Sequence, residues 1–118
     1  MSGAGLRGRS ILLVEDEFLV AAMLADALEE AGATVVGPAG SVAEGLRLVG
    51  RGGFDLAVID WNLDGNSGEP VACALAEAGV PFVIASGYGS IAGRFADATL
   101  LAKPFAPARL VAALEDLI

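Results

Sequence analysis

Apolar residues along this chain fall into short, unbroken runs separated by longer stretches in which apolar and polar positions mix. Ser10 to Val14, Thr34 to Gly37, Leu56 to Asp60, Val80 to Ala85 and Thr99 to Ala102 read as strands, too short for buried helices and rich in β-branched residues. Between them, a helix is predicted from about Phe18 to Ala31, stopped by Gly32. A second is opened by the capping box Ser41-x-x-Glu44 and runs to about Val49. A third starts near Pro70 and ends at Ala78, and a last one spans Pro107 to Ile118 with Leu110, Val111, Leu114, Leu117 and Ile118 on one face. Ser86 to Ala98 is rich in glycine and weakly periodic, so any helix there is expected to be short. Strands alternate with helices and no hairpin turn is expected, which predicts an α/β domain with a parallel sheet covered on both faces. The domain is placed at residues 10–118, behind a flexible leader at 1–9. A literal G-x-G-x-x-G at Gly3, Gly5 and Gly8 lies in that leader, ahead of the first strand instead of after it, and so has no phosphate-binding meaning.

Length and composition narrow the function. The 118 residues suit one domain, and no run approaches the ~20 apolar residues of a membrane span. Arg7 and Arg9 are not followed by the apolar core of a secretory signal, so a cytoplasmic, soluble protein without membrane partners is expected. A formal charge of −8, with seven scattered Lys and Arg, argues against nucleic acid as a partner. The chain has no histidine, which excludes His-metal sites and His-dependent triads. Cys73 is the only cysteine and reads as a small buried apolar residue on a helix.

The informative pattern is where the strands end. Glu15 and Asp16 follow the first strand, Asp60 closes the third, Ser86 follows the fourth and Lys103 the fifth. In a parallel sheet these ends share one edge, so the side chains can converge. Three carboxylates together raise one another's pKa values, and a hard divalent cation relieves this; few carboxylates plus water suit Mg²⁺. A metal, a lysine and a hydroxyl around one carboxylate equip a site for phosphoryl transfer with Asp60 as nucleophile. Taken singly the residues have plainer roles: Glu15 and Asp16 as acids favoured by a helix N-terminus, Ser86 as a turn residue, Lys103 as a surface charge. A calcium loop is a rival reading of Asp60-x-Asn62-x-Asp64-Gly65, but its twelfth position is Val71 where a bidentate Glu is required.

With Leu13-Val-Glu15-Asp16-Glu17, Asp60, Ser86 and Lys103-Pro104 in place, the chain resembles the CheY-like receiver domain of two-component response regulators over nearly its whole length. The resemblance implies a doubly wound (βα)₅ flavodoxin/CheY-like sheet of order 2-1-3-4-5. It further implies Asp60 as phosphoacceptor, and Mg²⁺ held by Asp16, Asp60 and the Asn62 backbone carbonyl, with Glu15 acting through water. Lys103 is then expected to grip the phosphoryl oxygens, Ser86 to move to bond one of them, and Lys103-Pro104 to be cis. Pro81-Phe-Val-Ile-Ala-Ser86-Gly-Tyr88 is similar to the signature of alphaproteobacterial single-domain receivers, with Ile84 and Ser86 in place of its Phe and Thr.

Two departures matter. Asp64 stands where receivers usually carry a proline, and Leu100 where they carry a switch aromatic, which leaves Tyr88 as the substitute. The function implied is a stand-alone receiver that takes a phosphoryl group from a sensor kinase or histidine phosphotransfer protein. It signals by contact with a downstream protein or drains phosphate, and is not an enzyme acting on other substrates. A phosphorylation-independent interaction module and a small Mg²⁺-dependent aspartyl phosphatase are the alternatives. On the first helix, Val20, Leu24, Ala27 or Leu28, and Ala31 have core spacing, which sends Phe18, Ala22, Ala25 and Glu29 outward and makes Phe18 a candidate partner contact.

Overall fold

The computed structural model describes residues 5–87 and 90–118. The chain runs β1 (Ser10–Val14), α1 (Phe18–Glu30), β2 (Thr34–Ala39), α2 (Val42–Arg51), β3 (Leu56–Asp60), β4 (Asn62–Leu63), β5 (Asn66–Ser67), α3 (Glu69–Glu77), β6 (Phe82–Ser86), a 3₁₀ turn (Gly93–Phe95), β7 (Thr99–Ala102) and α4 (Pro107–Glu115). Five strands form one parallel sheet in the order β2-β1-β3-β6-β7. With β4 and β5 set aside, this is the doubly wound 2-1-3-4-5 arrangement expected from the sequence.

Strand residues alternate between two cores, as a two-residue period requires. Ile11, Leu13, Leu56, Val58 and Val83 face α1 and α4, where Leu24, Leu28, Leu110 and Leu114 meet them. Leu12, Val14, Ala57, Ile59 and Ile84 face the other way, against Leu48, Val71, Ala72 and Leu75 of α2 and α3. Buried on both sides, β3 is apolar along its length until Asp60, which explains why its sequence carries no alternation. Ser41 caps α2 by accepting the Glu44 N–H at 3.1 Å, while the Glu44 carboxylate turns to Arg47 instead of closing the capping box. Among the described residues, no helix is long and apolar enough to cross a membrane.

Four expectations are corrected. The chain does contain a hairpin: β4 and β5 pair antiparallel through Asn62↔Ser67 and Leu63↔Asn66, around a two-residue turn. Leu6, placed in the leader, is fully buried with Leu28, Leu110 and Leu114, and Gly8 N–H donates to the Gly32 carbonyl at 3.0 Å. On α1, Ala25 packs partly against the core instead of facing outward, and Ala21 joins Leu24 and Leu28 as a buried position. The last helix ends at Glu115, which leaves Ile118 half exposed beyond it.

Candidate functional site

The parallel register brings four strand ends together at one edge. β1 is paired with β3 through Val14↔Ile59, so Glu15 and Asp60 lie next to each other just beyond that pair. β3 is paired with β6 through Asp60↔Ala85, with Ser86 one residue on. β6 is paired with β7 through Ser86↔Ala102, and Lys103 N–H donates to the Ser86 carbonyl at 2.7 Å. Lys103 thus leaves the edge strand, and its side chain reaches past the end of β6 to Asp60 and Glu15. Its Nζ lies 2.7 Å from Asp60 Oδ2 and 3.5 Å from Glu15 Oε1.

Glu15, Asp60 and Ser86 are the only buried polar side chains among the described residues. Oxygens of Glu15, Asp16 and Asp60 lie within 4.8 Å of one another, with Asp16 exposed at the rim. These residues, with Lys103, Asn62 and Asp64, line an open cleft of about 410 Å³. A wider depression of about 550 Å³, bordered by Trp61, Asn66, Ser67 and Ser86, lies beyond the β4–β5 hairpin. Gly65, at the tip of that hairpin, borders both openings.

One ammonium faces two buried carboxylates, and the electrostatics reflect the shortage. Burial pushes the Glu15 carboxyl up to about 7; the Glu17 N–H pulls against this, the charge of Asp60 adds to it, and Lys103 at its longer distance offsets only part. At Lys103, burial opposes the charged form, but the hydrogen bond and charge of Asp60, and then Glu15, overcome it and raise its pKa. All the side-chain donors are oxygens, and three carboxylates against one lysine leave net negative charge. This set fits a hard divalent cation such as Mg²⁺.

Of the residues singled out in the sequence, Glu15, Asp16, Asp60, Asn62 and Lys103 share the cleft, and Ser86 is buried on the neighbouring strand end. Asn62 donates its N–H to Asp60 Oδ1 at 3.1 Å, and its side-chain oxygen accepts the Gly65 N–H at 2.8 Å. Tyr88 lies outside the described residues. Phe18 and Leu19 are 81% exposed and Met23 is 48% exposed, at the start of α1. Beside them a groove of about 210 Å³ runs between Val20 and Leu24 on one side and Lys103, Pro104 and Phe105 on the other. The Lys103-Pro104 peptide is cis, as expected, and so is Gly37-Pro38.

Sequence reading missed two contributors. Gly68 passes so close to β3 that a Cβ there would stand 2.5 Å from the Asp60 carbonyl oxygen, and its N–H donates to the Trp61 carbonyl at 2.9 Å. Only glycine permits that approach, though its φ of −75° is ordinary. The other is Asp64, whose backbone N–H donates to Asp16 Oδ2 at 3.0 Å.

Comparison with known proteins agrees with this fold. Residues 11–115 match the family model of the response regulator receiver domain, and the chain belongs to that family. It is 31% identical over 113 residues to the transcriptional regulatory protein PdtaR of Mycobacterium tuberculosis, an alignment covering 91% of this chain and 55% of PdtaR. The chain thus spans about half the length of the curated relatives it matches. The solution structure of SdrG from Sphingomonas melonis Fr1 is similar over 100% of both chains, with 44% identity and a TM-score of 0.78. A response regulator from Burkholderia pseudomallei, solved with a phosphorylated aspartic acid, a calcium ion and citrate, is 29% identical with a TM-score of 0.77. That match covers 90% of this chain and 66% of the Burkholderia chain.

Proposed function

We propose that this receiver takes a phosphoryl group onto Asp60 from a phosphohistidine of a sensor kinase or phosphotransfer protein, and passes the signal on by protein contact or acts as a phosphate sink. The observation that carries the reading is the 2.7 Å pairing of buried Asp60 with Lys103 inside a cleft that also holds Glu15 and Asp16. A carboxylate oxygen of Asp60 attacks the phosphorus, the phosphorus–nitrogen bond breaks, and the imidazole departs with that electron pair. Lys103, already at the strand edge, holds the phosphoryl oxygens as charge gathers on them. The Ser86 hydroxyl, one strand away, moves to bond one of those oxygens. Asp16, Asp60 and the Asn62 backbone carbonyl are the residues that would hold Mg²⁺, with Glu15 assisting through water. When bound, the ion neutralises the carboxylate cluster and the incoming phosphoryl charge. Tyr88 takes the part of the aromatic missing at Leu100, and Phe18 contacts the kinase. The protein works in the cytoplasm, and its only chemistry is its own phosphorylation and loss of that phosphate.

The phosphorylated aspartic acid in the Burkholderia regulator, a similar chain, supports an aspartate as acceptor, the role read here for Asp60. Retention of the carboxylates and the lysine favours this over a module that works without phosphate. The test uses acetyl phosphate, or beryllofluoride as a mimic, with Mg²⁺. Intact-mass measurement should show one phosphoryl adduct on the native chain and none on Asp60→Asn. An adduct retained by Asp60→Asn overturns the assignment.

A further inference from the structure

Glu15, Asp60 and Asp16, whose oxygens cluster in the cleft, each have one carboxylate oxygen held by a backbone amide. Glu17 N–H donates to Glu15 Oε2 at 3.1 Å, Asn62 N–H to Asp60 Oδ1 at 3.1 Å, and Asp64 N–H to Asp16 Oδ2 at 3.0 Å. The first two bonds link residues two positions apart; the third spans 48 positions and joins the β1–α1 loop to the β4–β5 turn. We propose that this turn is a positioning device for Asp16, with the Asp64 main-chain N–H fixing the carboxylate in the orientation that receives a divalent cation. The inference rests on the reading of Asp16 as an Mg²⁺ ligand.

The turn is built to hold that amide still. Asp64 and Gly65 both have positive φ, 53° and 85°, the conformation of a type I′ turn. Leu63, immediately before, is 1% exposed and anchors the turn in the α2–α3 core. Asn62 Oδ1 accepts the Gly65 N–H across the turn, at 2.8 Å. Asp16 itself is exposed, so without a tether its side chain would sample several rotamers and lose that freedom on binding an ion. A proline at position 64 has no N–H and a φ near −65°, so it can neither make the bond nor enter the turn. The Asp64 side chain is not what the device needs. Any residue that keeps the amide and tolerates the left-handed region serves, and asparagine does so readily.

The test is an Mg²⁺ titration of the full chain, followed by the fluorescence of Trp61, the only tryptophan and the neighbour of Asp60. Asp64→Asn keeps the amide and the turn, so it should bind Mg²⁺ within about threefold of the native chain, the difference being the carboxylate it removes from the cleft rim. Asp64→Pro should bind about 10–100-fold more weakly, as loss of a group that orients a metal ligand typically causes. Because proline also disturbs the ribbon, a second variant replaces only the Leu63–Asp64 amide by an ester, introduced with an α-hydroxy acid. It removes the donor proton and leaves the side chains, and should weaken binding by about tenfold or more. Native affinity in the ester variant overturns the positioning role. Asp16→Ala separates the two readings: if it binds Mg²⁺ as tightly as the native chain, the metal-ligand reading itself is wrong. If Asp16→Ala loses binding and the ester does not, only the tether is wrong.

Discussion

Lys103, the residue after edge strand β7, reaches past β6 to put its ammonium 2.7 Å from Asp60 Oδ2. That one contact sets the charge balance of the cleft, because no other cation among the described residues lines it. Removing it leaves Glu15 and Asp60 buried against each other, and an unpaired buried charge costs far more than an intact pair contributes.

Lys103→Ala should therefore lower the stability of the metal-free protein by about 1–3 kcal/mol, less than for a fully buried pair because the lysine is partly solvated. Urea unfolding measures this. The variant should keep Mg²⁺ binding and lose most of its conformational response to beryllofluoride, read from Trp61 fluorescence. An unchanged response removes Lys103 from its proposed role.

The raised Glu15 carboxyl makes stability depend on pH. Its pKa moves from 4.5 to about 7 in the fold, so between those values the native state binds more protons than the unfolded chain. Stability then falls as pH rises: the contribution is complete below about pH 4.5 and is lost as pH passes through about 7. Melting temperatures of the metal-free protein should decline across that window, and Glu15→Gln should flatten the decline. Mg²⁺ should oppose it, adding about 2.7 kcal/mol at a hundred times its Kd. A Glu15→Gln protein with the native pH slope places the titrating group elsewhere.

Gly68 is a steric requirement of the end of β3. A methyl group there meets the Asp60 carbonyl oxygen at 2.5 Å, and backbone cannot yield as a flexible side chain can. Gly68→Ala should cost about 1–3 kcal/mol, the usual range for overpacking, and should slow acetyl-phosphate labelling by displacing Asp60. A variant with native melting temperature and labelling rate would show that the strand shifts freely.

These contributions differ in how far they could be read from the sequence. The sheet strands were legible because β1, β3 and β6 are apolar on both faces, and Glu15, Asp60 and Lys103 because parallel strands end at a common edge. The β4–β5 ribbon was not, since two residues per strand carry no period; Asp64-Gly65, a strong hairpin signal, was instead absorbed into a calcium-loop comparison. Leu6 stands alone among glycines and arginines, so no spacing marks it as core. Asp64 acts through a main-chain N–H, a group that every residue except proline owns, so its identity says nothing of the contact. Gly68 has an ordinary φ, and its role lies wholly in the close approach of another strand's carbonyl.

The last prediction concerns the surface at the start of α1. Phe18 and Leu19 are each 81% exposed, and with Met23 they form an apolar strip next to the groove that leads to Lys103 and Pro104. In the proposed transfer the donor histidine approaches Asp60 over this edge, which would place the strip to be covered during the reaction. Phe18→Glu is a clean probe of that contact. Phe18 is the first residue of α1, whose first turn carries no acid, and an added carboxylate there is favoured by the helix dipole. The fold should thus be unharmed, with a melting temperature at or slightly above native. Phosphotransfer from whichever host histidine kinase labels the native chain fastest should slow by about tenfold or more, as when an apolar anchor leaves an interface. Labelling by acetyl phosphate, which needs no docking surface, should proceed at the native rate. Phe18→Ala, which removes the ring without adding charge, should slow the kinase reaction in the same direction. Equal slowing with both donors would trace the effect to the cleft, and an unchanged kinase rate would leave the strip without a part in transfer.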